Sequence, residues 1–131
     1  MPAYNKDGAT IVTMRATVAL TRGQVVILDA ATDGNVTLPG GANAQKTFGY
    51  SLNDLQAGEL GPIHVSGGLA PAIAGGAIAL GDLLQTGATP GQVTTAAPAA
   101  GSNSYLCGKA ARAAAAGDIF PVVPMHATLQ G

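Results

Sequence analysis

The spacing Gly-x8-Gly-x3-Pro occurs twice, at Gly49, Gly58 and Pro62 and again at Gly108, Gly117 and Pro121, displaced by 59 residues. Other segments follow in the same order. Gln24-Val25-Val26 is echoed by Asp82-Leu83-Leu84, and Asp33-Gly34-Asn35-Val36-Thr37 by Pro90-Gly91-Gln92-Val93-Thr94. Self-similarity at a fixed period implies one supersecondary unit used more than once. A chain of 131 residues is filled by two such units, expected over about residues 15–70 and 71–131, as a single domain with no separate regulatory part.

Within each unit the runs are short, rich in Val, Ile, Leu and Thr, and bounded by turn residues, which predicts strands. Asp33-Gly34 and Pro90-Gly91 suit tight connections whose third residue needs positive φ. Ala110–Ala116 competes, since alanine favours helix. Its counterpart Ser51–Ala57 carries Asn53-Asp54, which belongs in a turn, so a hairpin is expected in both places, with a short helical turn in the second as the alternative. The fold class predicted is all-β: two pseudo-repeated small lobes, or one barrel-like or tulip-like domain. Val65–Gly76 reads as an Ala/Gly-rich linker, and residues 1–14, outside the repeat, as an extended N-terminal arm.

Few groups are available for chemistry. Charged residues are 10% of the chain, with six Lys and Arg against seven Asp and Glu, so no basic stripe exists to meet a nucleic-acid backbone. His64 and His126 have no carboxylate or Cys at metal-ligand spacing. Ser51, Ser66, Ser102 and Ser104 sit in no G-x-S-x-G elbow. Gly76–Gly81 has the gap of a phosphate loop, but Asp82-Leu83 follows where Lys and a hydroxyl residue are needed. Asp29, Asp33, Asp54, Glu59, Asp82 and Asp118 fall mostly at turns, where a short acceptor serves nearby backbone N–H groups. Cys107, the single cysteine, lies between Leu106 and Gly108 and is expected to pack rather than react. No enzyme, cofactor or metal is therefore expected. No stretch has the ~18 apolar residues of a membrane helix, and Met1–Arg15 lacks a signal-peptide core, so synthesis in a cytoplasm is expected.

Ala19–Val26, Ala79–Leu84, Gly91–Thr94 and Ala116–Val122 together resemble a family of small tailed-phage proteins, the capsid decoration or cement proteins, some once labelled as possible phage recombinases. The resemblance spans about residues 16–125. It implies a β-rich protein of the virion, bound to the outside of an HK97-type head by bridging major capsid protein subunits, with a homotrimer favoured. The missing phosphate loop and basic surface speak against the recombinase label. Contact with the shell is expected from the arm, Pro2, Ala3, Tyr4, Asn5, Lys6 and Asp7, with Tyr4 as anchor, and from the loops 39–46 and 95–104. A β-sandwich adhesin or carbohydrate-binding module is the alternative; it would need aromatic rings for sugars, and only Tyr4, Phe48, Tyr50, Tyr105 and Phe120 exist.

Overall fold

A computed structural model describes residues 8–131; the arm residues Pro2–Asp7 lie outside the described residues. Ten strands and no helix make up the described chain. β1 (Thr10–Ala16), β2 (Val25–Leu28), β3 (Asn35–Thr37), β4 (Thr47–Ser51) and β5 (Leu60–Ser66) close into a barrel in the order β1-β3-β2-β4-β5. β6 (Ala70–Ile73), β7 (Leu83–Thr86), β8 (Val93–Thr95), β9 (Asn103–Ala110) and β10 (Ile119–Gln130) form a sheet in the order β6-β10-β9-β7-β8. The edges of that sheet, β6 and β8, meet through one parallel bridge, Ala74 to Val93. In the barrel, the parallel pairing of β1 with β3 joins Arg15 to Asn35 and Ala16 to Val36.

Backbone hydrogen bonds recur between the halves. Gly58 N–H donates to Ala16 and Gly117 N–H to Ala74, both at 2.7 Å; Leu20 and Leu55 exchange two bonds, as do Ile78 and Ala114. The repeated glycines and proline have physical reasons to be where they are. A Cβ on Gly49 would lie 2.6 Å from the His64 carbonyl oxygen, and one on Gly108 would lie 2.8 Å from the Tyr50 hydroxyl. Gly58 and Gly117 take φ of 90° and 86° as the third residues of turns, a conformation that L side chains resist. Pro62 and Pro121 lie in β5 and β10, immediately after those turns.

The turns are capped alike. The side chains of Gln24, Glu59, Asp82 and Asp118 each accept the N–H three residues earlier, from Thr21, Gln56, Ala79 and Ala115. The Asp82 carboxyl is held below its usual range by the Ala79 N–H and then by the Thr95 hydroxyl. That of Asp29 is lowered chiefly by the Thr17 hydroxyl. Glu59, Asp82 and Asp118 thus serve the backbone of their own turns, as the sequence suggests.

Two expectations need correction. The arm does not reach residue 14. Thr10–Ala16 pairs along β5, because Val12 and Met14 point to the core while Ile11 and Thr13 stay exposed, an alternation that suits a strand. The linker expected over Val65–Gly76 instead contains β6, whose Ala70 and Ala72 are buried against the second core. Small residues there fit a tight space rather than a flexible one. Ala111–Gly117 forms turns without a helix, tied to Ile78 through Ala114, so the hairpin expectation stands.

Candidate interaction surface

The residues that carry chemistry are used by the fold. Cys107 is buried, its Sγ 3.6 Å from the Leu84 carbonyl oxygen, and burial pushes its thiol up to about 11, which keeps it unreactive near neutral pH. Buried His64 meets the Gly67 carbonyl through Nε2 at 2.5 Å, and exposed His126 meets that of Val65 at 3.1 Å. Each histidine is thus engaged by a backbone carbonyl, and no group of three His, Cys, Asp or Glu residues able to hold a metal exists among the described residues. Ser51 and Ser104 are buried, and the Ser51 hydroxyl donates to the Asn53 carbonyl.

The halves are clasped together. Because side chains alternate along a strand, β2 sends Val26 into the first core and Val25 into the second. Tyr50 of β4 follows Val25, and its hydroxyl donates to the Cys107 carbonyl at 2.6 Å, which satisfies a polar group in an apolar interior. Burial holds that phenol well above its usual range. The loop 39–46, expected to face a shell, does much of its bonding inside the molecule. Asn43 N–H donates to Thr86, the Asn43 side chain spans the Asn103 carbonyl and the Tyr105 N–H, and the Thr86 hydroxyl donates to Gly41 while accepting from Ala44. Within the loop 95–104, Thr95, Ala97 and residues 99–103 are exposed.

Outside the clasp the surface is weakly charged and in places apolar. Leu80 is 71% exposed, at the tip of a turn; Leu60 and Ile119, at matching positions in the two halves, are 58% and 44% exposed. A groove of about 400 Å³ opens where the Thr21–Gly23 turn of the first half overhangs the starts of β6 and β10. Leu69 and Ile119 lie on it, Pro71 and Pro121 line it, and Arg22 and Arg112 stand in its wall. Neither guanidinium has a hydrogen bond or ion pair among the described residues; the one bond to Asp54 Oδ1 comes from the Arg22 backbone N–H. Sequence reading missed this site, because the two arginines are 90 residues apart in the chain. A signal was available: their counterparts in the other half are Leu80 and Asn53, so both charges break the repeat.

The aromatic rings are largely consumed by packing. Tyr50 and Phe120 are buried, Phe48 and Tyr105 are half-buried, and no Tyr or Phe ring among the described residues is exposed.

Comparison with known proteins follows the same lines. A family model described as phage cement protein matches residues 5–125. Among solved structures, the head fiber gp8.5 N base of bacteriophage phi29 is similar in fold, with a TM-score of 0.68 at 19% identity over 94% of this chain and 99% of that one. No curated protein matches the sequence.

Proposed function

Since the match covers nearly its whole length, the chain belongs to the phage cement protein family, and from that premise we propose that it coats the outside of an icosahedral phage head and bridges neighbouring major capsid protein subunits. The family match carries this reading. The physical design supports it: two small β units, locked by buried Tyr50 and by the loop at Asn43, make a stiff body with exposed apolar side chains and few charges to desolvate. Stiffness matters because a strut that yields cannot transmit load between the subunits it joins.

A contact of ~1,600 Å² can give anything from micromolar to picomolar affinity, and attachment at two or three points raises the effective strength by ~10²–10⁴. A trimer would supply such points. The arm residues Pro2, Ala3, Tyr4, Asn5, Lys6 and Asp7 would extend the grip, with Tyr4→Ala lowering occupancy. The sugar-binding alternative has lost support, since the rings among the described residues, Phe48, Tyr50, Tyr105 and Phe120, are buried or half-buried. Sedimentation with undecorated, expanded heads tests the proposal. Saturable co-sedimentation is the expected result, and failure to bind any head, beside retention on a glycan array, would remove it.

A further inference from the structure

Resting on the capsid-binding reading, we infer that the groove between Arg22 and Arg112 is the pocket in which this protein takes hold of a capsid subunit, by receiving a segment that carries an Asp or Glu carboxylate beside an aliphatic side chain. Two guanidiniums without partners among the described residues present planar donor forks suited to a carboxylate. Between them lie Pro71, Pro121 and the exposed side chains of Leu69 and Ile119, which would cover an aliphatic neighbour of that carboxylate. A phosphate backbone would meet the same two charges but gain nothing from the apolar wall.

A second copy of this chain is the poorer occupant. In each of its own acid-aliphatic pairs the carboxylate is already engaged: Asp29 by Thr17 and Ala31, Asp54 by Arg22 N–H, Glu59 by Gln56, Asp82 by Ala79 and Thr95, and Asp118 by Ala115. Withdrawing any of them would leave a backbone donor unsatisfied. The groove also sits at the join of the halves, framed by the Thr21–Gly23 turn from one and by β6 and β10 from the other, so a partner bound there is held by both.

The test compares the whole protein with the double variant Arg22→Glu/Arg112→Glu, and with a control, Thr32→Glu/Ala88→Glu/Lys109→Glu, which makes the same change in net charge at exposed sites away from the groove and from the loops 39–46 and 95–104. Each is checked for an unchanged melting temperature and then titrated onto undecorated heads. The expected result is at least a tenfold loss of apparent affinity for the arginine pair, a loss under threefold for the control, and a loss between the two for Arg22→Lys/Arg112→Lys, which keeps the charge but not the planar fork. Equal binding by wild type and the arginine pair overturns the inference while leaving the capsid reading in place. So does an equal loss in the control, which would mean general charge attraction. If reversing the arginines changes only the oligomeric state in solution, the occupant is another copy of this chain and the assignment to the capsid is wrong. Wild type that binds no head defeats the functional reading itself, and this inference with it.

Discussion

The first five strands bury Ala16, Leu20, Val26, Val36, Leu55 and Ile63, all from their own half, whereas the core of the second half also takes in Val25 and Tyr50 from the first. The barrel is shut by paired residues between β1 and β3; the sheet has only the Ala74 to Val93 bridge at the matching place. Volumes are exchanged as well. Leu55 packs where a Cβ on Gly61 would stand, and at the matching positions Ala114 accompanies Phe120. Related strands can thus be made self-sufficient or dependent by moving a few side chains. The dependent half is what joins the molecule into one body.

Removing the shared anchor should break this comparison most severely. Tyr50→Ala would leave a cavity in the second core and cost about 3–5 kcal/mol in chemical denaturation, while Tyr50→Phe, which loses only the bond to Cys107, would cost about 1 kcal/mol. Matching glycines sharpen it at closer range. Gly58→Ala and Gly117→Ala each force a side chain into positive φ and should cost about 1–2 kcal/mol, with similar values, since nothing lies within 4 Å of either Cβ position. Hydrogen exchange reads the closure directly. The Gly75 amide, bonded to Val93 beside the single bridge, should exchange about tenfold faster than the Thr17 amide, bonded to Val36 at the end of the β1–β3 pairing. The smallest effect is acid sensitivity at Asp82. Its folded carboxyl lies below the ordinary value of 3.8, so its stabilisation is complete above that pH and fades as pH falls through the folded value. Asp82→Asn should flatten that part of an acid titration of melting temperature.

Much of this was legible because turns announce themselves. Gly34 and Gly91 hold the positive φ that Asp33-Gly34 and Pro90-Gly91 imply, and the strands expected beside them are β2, β3, β7 and β8. β6 was hidden because Ala70–Ile73 is built of residues chosen for size, and composition alone cannot separate a tightly packed strand from a loose linker. The start of β1 was hidden for a related reason: it pairs with β5, 45 to 56 residues away, so its partner is invisible to any local pattern. The internal bonds of the loop 39–46 were not legible, because Asn43 reaches Asn103 and Tyr105, 60 and 62 residues away, while Gly40, Ala42, Gln45 and Lys46 stay exposed. The arginine groove depends on where the halves meet, which no single segment encodes.

Imaging of phage heads saturated with the protein bears most directly on the central claim. The account predicts a two-unit β density on the outer surface lying across the boundary between neighbouring capsid subunits, with the Arg22–Arg112 groove turned toward the shell. Density confined to one subunit, or heads that remain bare at saturating protein, would contradict it.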